Sequence, residues 1–333
     1  MIYFLLRKKI ENSIRMRDLF ILIILIVLTT SCVERLNFDD TGGAPPITGL
    51  FTEISGRISG KLTKADSPYL IKDDLTIESN DTLLIEPDVE LYFDDSKRLI
   101  VKGTLISKGT RYRPILYTAY NNNWEGIKFL YSSNNSIIQF CIIEKIAFEK
   151  QDGTGYSAIS FLGSNAELKN NLITNNKSKI GGAIGLRNSE VSIYNNIFTN
   201  NSSQFQGGTI HSISSNLKII NSVFYKNYSS LEGAAIYVDA PIRTEIQNNI
   251  FYKNNSQRGK SDLYFAFDDS TNLIEQYNFF GSEDNDPMFL YEDDFRLYYL
   301  SPCKDAGNPD PIFNDVDGSR NDQGAYGGPF GGW

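Results

Sequence analysis

Cysteine, histidine and tryptophan are scarce in this chain of 333 residues, which contains three Cys, two Trp and a single His. Since Cys32 lies in the N-terminal segment, only Cys141 and Cys303 remain for the rest of the chain. A disulfide framework is therefore excluded, and we expect these two to be buried as separate thiols rather than joined. The spacing of the sequence places no Ser, Asp or Cys beside the single histidine, His211. The sequence therefore indicates no nucleophilic catalytic triad.

Long apolar runs are also missing. The run of ten residues at 19–28 is too short to cross about 30 Å of hydrocarbon as a helix. It follows Met16-Arg17 and precedes small residues and Cys32, an order typical of a secretory signal. These residues resemble the lipobox of bacterial lipoproteins, which implies that residues 1–31 are removed and that Cys32 carries the lipid. The alternatives are an uncleaved signal anchor with Cys32 unmodified, and a true start at Met16.

Basic residues are outnumbered by acidic ones, 32 to 40, which gives a formal net charge of −8. Without residues 1–31, which hold five basic and two acidic residues, the net charge becomes −11. Nucleic acid is a poor partner for such a surface, and an acidic polysaccharide would need a local basic patch. We expect residues 32–55 to tether the protein to the membrane through the lipid at Cys32 alone. The predicted location is the cell envelope, at the outer membrane or cell surface.

The chain does contain a repeat. Four segments between residues 168 and 266 are similar, and their first asparagines are Asn170, Asn195, Asn221 and Asn248, at steps of 25, 26 and 27 residues. This period is typical of stacked units that bury apolar surface only against their neighbours. The apolar runs are short and rich in β-branched and aromatic residues, with Asn, Ser and Gly between them. The unit is therefore β, which excludes helical solenoids and leucine-rich repeats.

The fold predicted from this repeat is all-β: a single-stranded right-handed parallel β-helix. Stacked coils place each strand beside its equivalent, and right-handed crossovers are the default. We expect the β-helix over residues 56–300 as one rod of about nine or ten coils. The Pro-, Gly- and Asp-rich residues 301–333 are predicted to form a C-terminal cap, because solenoid ends expose strand edges. A monomer is expected.

Three columns of residues follow from the repeat. Ile184, Ile210 and Ile236 are in register, with Ile159 in an earlier coil, and should stack along the interior. Small residues two places before them mark a bend; these are Gly182, Gly208 and Ala234. A polar column is expected to form a ladder of stacked amides, the alternative being solvated loops. Its members are Asn176, Asn201, Asn227 and Asn254.

The signatures NNxFxxN and GGAI resemble those of right-handed parallel β-helix proteins with the pectate-lyase-like superfold. The stretch from LLIEPDVELYF to WEGIKF resembles the first coils of secreted members. SPCKDAGNPDP followed by DGSRNDQGAYGG resembles the terminal segment of many secreted bacterial β-helix proteins, which implies a cap with Tyr326 and Trp333 as candidate plugs. The resemblance is specific for the fold and weak for activity, since one fold hosts many functions.

A first candidate site is the row that contains His211. Alternation from Ile210 places this residue outward, in register with Ser160, Gly185 and Tyr237. The resemblance implies that such a row is where family enzymes bind sugar chains, and an aromatic residue such as Tyr237 can stack on a sugar ring. The alternative is a set of ordinary exposed strand residues.

Lyase chemistry is a second possibility. The family's polysaccharide lyases use a cation, Ca²⁺ or Arg, to neutralise a uronate carboxylate, and a base that is commonly Lys or Arg. Arg187 is the catalytic candidate beside His211. The other charged residues of the repeats form no recognised motif, and the alternative is that they lie in solvated turns. These residues are Lys218, Lys226, Arg243, Lys253, Arg258, Glu232 and Asp239. The clustered Asp pairs of hydrolases with this fold are missing from the core repeats.

Calcium is the cofactor considered, and none is expected. Asp315, Asp317 and Asp322 supply closely spaced oxygen ligands around a Gly turn, but the spacing departs from that of an EF-hand loop. A turn in which Asp side chains bond to the backbone is the preferred interpretation.

Two functions remain open. The first is a lipid-anchored bacterial surface protein that binds a polysaccharide or another surface protein without catalysis. The second is a polysaccharide lyase or hydrolase of pectate-lyase-like type that acts on acidic polysaccharide. The repeats offer Asn, Ser and Tyr rather than a convergent set of charges, which favours the first.

Overall fold

A computed structural model describes residues 50–132, 136–148, 156–259, 261–267 and 270–332. In these residues the chain winds into a parallel β-solenoid, in which strands pair with their equivalents in the next coil. The predicted signal, the lipid site Cys32, most of the tether and the candidate plug Trp333 lie outside the described residues.

Four stacks of strands run along the solenoid. Stack I contains Arg98–Val101, Gly126–Leu130, Ile159–Leu162, Ile184–Arg187, Ile210–Ile213, Ile236–Asp239 and Leu263–Phe265. Stack II contains Gly60–Leu62, Thr82–Ile85, Thr104–Lys108, Ser136–Gln139, Asn165–Lys169, Glu190–Tyr194, Asn216–Ile220, Arg243–Gln247 and Leu273–Gln276. Stack III contains Glu90–Phe93, Ile115–Ala119, Cys141–Glu144, Leu172–Thr174, Ile197–Thr199, Val223–Tyr225, Ile250–Tyr252 and Phe279–Phe280. The short stack IV contains Ala147–Phe148, Lys177–Ser178, Ser202–Ser203, Tyr228–Ser229 and Asn255–Ser256.

The remaining elements lie at the two ends. Thr52–Arg57 and Tyr69–Ile77 pair with each other, and the second of them pairs with strands of both stack I and stack III. Phe289–Tyr291 and Asp294–Leu297 form an antiparallel hairpin after the last coil. Short 3₁₀ helices occupy Lys64–Asp66, Ser270–Asn272 and Pro311–Phe313.

The number of turns is slightly lower than expected. Stack II holds nine strands in the described part of the chain, so its first and last strands are eight full turns apart. The expectation of nine or ten coils assumed that the solenoid extends to residue 300. The last strand of stack III ends at Phe280, and the chain then leaves the solenoid.

The interior confirms the predicted aliphatic column. Ile159, Ile184, Ile210 and Ile236 pair in direct register and are fully buried. A second column is aromatic: successive rings of Phe198, Phe224, Phe251 and Phe280 stack with centroids 5.0, 4.8 and 5.1 Å apart. The first three are fully buried, and Phe280, in the last coil, is 43% exposed. Each such buried side chain contributes about 1.5–3 kcal/mol, so the interior accounts for much of the stability.

The predicted amide ladder is also confirmed. Asn176, Asn201, Asn227 and Asn254 are joined by side-chain hydrogen bonds in which each Nδ2 donates to the next Oδ1, over 3.1, 3.1 and 2.9 Å. Each Oδ1 also accepts from the backbone N–H of the preceding ladder residue, as Asn201 does from Asn176 at 3.2 Å. The buried bends between stacks III and IV therefore keep their polar groups satisfied.

A second amide ladder lies between stacks II and III and was not predicted. Asn171 donates to Asn196 over 2.8 Å, and Asn249 donates to Asn278 over 2.9 Å. In the coil between them Ser222 takes the equivalent place, where its hydroxyl accepts from the backbone N–H of Asn196. The residue before each amide, which marks the repeat in the sequence, adopts the left-handed conformation that Asn tolerates well. These residues are Asn170, Asn195, Asn221 and Asn248, with φ of 51°, 54°, 51° and 58°.

The C-terminal segment packs along the side of the solenoid. The four left-handed asparagines bind it in reverse chain order. Asn248 accepts from the backbone of Asn308 at 2.8 Å, and Asn221 donates to the carbonyl of Asp322 at 2.8 Å. Asn195 donates to the carbonyl of Gly327 at 2.7 Å, and Asn170 to that of Phe330 at 2.9 Å. The segment therefore crosses four coils.

A second apolar cluster lies beneath this segment, on the outer side of stack III. Its buried solenoid members are Leu172, Ile197, Val223, Tyr225, Ile250 and Tyr252, and the covering residues include Phe295, Cys303, Ala325 and Tyr326. Tyr326 was expected to plug the end of the solenoid, and instead packs on its flank. The physical reason is the row of asparagine amides beside an apolar strip, which holds the segment along the flank. There Gln323 also donates to the carbonyl of Tyr277 in the last coil, at 2.7 Å.

Candidate functional site

The row predicted around His211 forms one column on the outer side of stack I. Ser160, Gly185, His211 and Tyr237 are direct neighbours in register, as predicted. The column continues to Tyr264 in the last coil. The ring of His211 stacks on Tyr237 with centroids 5.0 Å apart and planes 2° apart, and Tyr237 stacks on Tyr264 at 5.3 Å and 11°.

Exposure rises along this column toward the C-terminal coil. Ser160 is 3% exposed, and its hydroxyl donates to the carbonyl of Ser157. His211 is 8% exposed, whereas Tyr264 is 40% exposed. The bends before each strand cover the early part: a Cβ added at Gly181 would lie 3.0 Å from the Cβ of His211. The accessible surface of the column is therefore its tyrosine end.

His211 is poorly suited to general acid or base catalysis. Burial, and next the nearby positive charge of Arg187, lower the pKa of its imidazole to about 4. The ring is then neutral at pH 7 and only weakly basic, whereas an effective catalytic group titrates near the working pH. Its stacking on Tyr237 gives it a packing role.

The other charged candidates lie apart, on different stacks of the solenoid. Arg187 is exposed at the end of its stack I strand. In stack II, Lys218 and Arg243 contact the carboxylate of Glu245 at 3.2 and 3.6 Å. Several remaining candidates lie elsewhere: Lys226 and Lys253 occupy left-handed bends after stack III, with Lys226 paired to Glu292, and Arg258 is exposed after stack IV. Glu232 and Asp239 are partly exposed near stack I.

The carboxylates considered for calcium bind their own chain. Asp317 accepts from the backbone N–H of Ser319 at 3.0 Å, and Asp315 from that of Asp322 at 3.1 Å. Asp322 in turn accepts from the backbone of Asp305 at 2.7 Å. Among the described residues, no group of three or more His, Cys, Asp or Glu side chains is arranged to hold a metal ion. Asp315, Asp317 and Asp322 shape a turn within the C-terminal segment of residues 305–330, which we call the lateral segment.

Both remaining thiols are buried and free, which confirms the expectation of separate cysteines. Burial raises the pKa of Cys141 and of Cys303 to about 12. Neither thiol is therefore a nucleophile at neutral pH.

Two members of the column were missed in the sequence. Lys128 pairs with Ser160, yet it is fully buried: its ammonium donates to the carbonyl of Ser157 at 2.5 Å and lies 3.5 Å from the centroid of Phe148. Its burial depends on contacts with Phe148 and Ser157, which no repeat pattern marks. Tyr264 could have been found, since it lies 27 residues after Tyr237, the same step that separates Asn221 and Asn248.

Comparison with protein families identifies the class of fold. Residues 117–285 match the family described as right handed beta helix region, which is half of the chain. The chain belongs to this family, and its solenoid is a right-handed parallel β-helix. A search of curated proteins and a search of solved structures found no match. In the part of the chain that the structure describes, no helix is long and apolar enough to cross a membrane.

Proposed function

We propose that this protein is a lipid-anchored protein of a bacterial cell envelope, and that its β-helix binds glycans without catalysis. The observation that carries the proposal is the aromatic column of stack I, which ends in the exposed Tyr264. Tyrosine rings combine an apolar face with a polar tip, as sugar rings require of a binding surface. The last three coils of the column carry one ring each, those of His211, Tyr237 and Tyr264, which suits a ligand that is itself a chain of rings.

Electrostatics support a binding surface over a catalytic one. The residues that lyase chemistry would use, His211 and Arg187, are a neutral, buried imidazole and an exposed guanidinium on neighbouring strands of stack I. The remaining cations are spread over stacks II to IV, several of them in ion pairs. The overall negative charge favours neutral glycans as ligands.

The binding test is retention on immobilised neutral and acidic polysaccharides, measured for the mature chain and for Tyr264→Ala. We expect retention on at least one neutral polysaccharide and a clear loss in the variant. Tyr112→Ala is the matched control, because Tyr112 is 83% exposed and lies outside the column. Equal retention of Tyr264→Ala and the parent protein would contradict the proposal. Release of unsaturated uronate products, followed by ultraviolet absorbance, would establish the lyase instead.

The anchor is tested separately. Growth of a host expressing the full chain with a labelled fatty acid should label the protein, and Cys32→Ala should abolish the label. Fractionation of the same cells should place the parent protein in the membrane, at the outer membrane or surface. Labelling that persists in Cys32→Ala would disprove lipid attachment at this residue.

A further inference from the structure

The lateral C-terminal segment encloses a small cleft against the outer side of stack II. Its floor is formed by Tyr194, Lys218 and Ile220, from two neighbouring strands of the stack. Its opposite wall is formed by Phe313, Pro329 and Phe330 of the segment. The cleft lies on a different stack from the tyrosine column, so it is a separate surface of the molecule.

The walls combine aromatic and charged groups. The rings of Tyr194 and Phe330 meet edge to face, with centroids 5.4 Å apart. The ammonium of Lys218 is partly exposed and is held by Glu245 at 3.2 Å, and Gln247 donates to the same carboxylate at 2.9 Å. A second ammonium, that of Lys169, lies 4.2 Å from the centroid of Phe330. Apolar faces beside fixed hydrogen-bonding groups are the usual composition of a small-ligand site.

Size restricts the ligand. The cavity measures about 180 Å³, which is smaller than the roughly 300–1,000 Å³ of pockets for drug-sized ligands. A single six-membered sugar ring is of this size, whereas a stretch of polysaccharide is larger. The ring would place its C–H face on the aromatic wall and a hydroxyl on Lys218.

We propose that this cleft is a site for one neutral pyranose ring, such as the terminal or branching sugar of a glycan. The inference rests on the proposed function only in sharing its ligand class, since it uses other residues. Neither Phe313 nor Phe330 belongs to the repeat, so the site exists only where the lateral segment is docked.

The test is saturation-transfer NMR on the mature chain with the methyl pyranosides of glucose, galactose and mannose, each at millimolar concentration. A single ring should bind with Kd on the order of millimolar. We expect signal from at least one of the three, and on the order of tenfold weaker binding in Phe330→Ala, which removes an aromatic wall. Lys218→Met should weaken binding by several-fold, since it keeps the length of the side chain and removes the ammonium. No signal with any of the three sugars would overturn the proposal.

Controls separate this site from the tyrosine column. Tyr264→Ala should leave the monosaccharide signal unchanged, while it reduces retention on polysaccharide. Monosaccharide binding without polysaccharide retention would support the cleft and contradict the proposed function. Polysaccharide retention without monosaccharide binding would support the proposed function and contradict the cleft. Where Phe330→Ala releases the segment, Lys218→Met decides, because Lys218 bonds to Glu245 and not to the segment's hydrogen-bonded backbone. Unchanged binding in Lys218→Met would overturn the proposal.

Discussion

The first coils and the central coils stack by different polar chemistry. Between residues 52 and 102, ion pairs join each coil to the next: Arg57 to Asp81 at 2.8 Å, Lys72 to Asp94 at 2.9 Å and Lys102 to Glu78 at 3.2 Å. Between residues 171 and 278, buried amides take this place. Both arrangements repeat at the coil period, but only the amides lie inside bends closed to solvent.

This difference predicts which coils contribute most to the free energy of unfolding. An exposed ion pair loses in desolvation and side-chain entropy most of what it gains, and salt screens it. A buried amide cannot exchange its partners for water, so its removal leaves neighbouring polar groups unsatisfied. We therefore expect the central coils to depend on single residues and the first coils to tolerate their loss.

The largest effect is expected for Asn201→Ala. This change removes bonds to Asn176, to Asn227 and to the carbonyl of Ile173. The free energy of unfolding should fall by about 3–5 kcal/mol, measured by urea denaturation. Asn255→Ala is the control, since Asn255 is exposed and directly follows Asn254, the last residue of the ladder. A loss below about 1 kcal/mol would contradict the importance assigned to the ladder.

The next largest effect depends on pH. The pKa of His211 is lowered from 6.5 to about 4, so its contribution is complete above pH 6.5 and is lost as pH falls toward 4. His211→Phe should remove this dependence, which amounts to about 3 kcal/mol between these limits. The measurement is the difference in unfolding free energy between parent and variant over pH 4–7. This difference isolates His211 from Asp262, whose pKa burial raises to about 6 and whose effect has the opposite sign.

If the difference in unfolding free energy between the parent protein and His211→Phe did not change with pH, His211 would have a normal pKa in the folded protein. The same experiment tests the site, because a normal pKa would return His211 to the list of groups able to move protons at neutral pH.

A moderate effect is expected for Asn221→Gly, which releases the lateral segment. Asn221 binds Asn321, Asp322 and Gly324, and Gly keeps its left-handed backbone without strain. Stability should fall by about 1–3 kcal/mol, and residues 305–330 should be cleaved faster in limited proteolysis. Asn200→Gly is the matched control, since Asn200 has φ of 55° and is exposed. Equal cleavage in the two variants would show that the segment is held by its apolar cluster alone.

The smallest effect is expected in the first coils. Lys102→Met removes the pair with Glu78, whose two side chains are 41% and 40% exposed. The midpoint of urea unfolding should be unchanged within error, and any residual difference should vanish at 1 M salt, where the screening length is about 3 Å. A large loss that persists at high salt would place the first coils in the same class as the central ones.

The repeat period alone determined the β-helix, its inward isoleucines and one amide ladder, because equivalent residues of a solenoid must stack and their spacing is local information. The same spacing placed Ser160, Gly185, His211 and Tyr237 in one column. Only the tertiary structure decided which of these residues are accessible, because neighbouring bends cover Ser160 and His211 while Tyr264, in the last coil, is 40% exposed. It also decided that the C-terminal segment lies along the flank, since that depends on asparagine amides and an apolar strip meeting a partner 60 to 160 residues away in the chain.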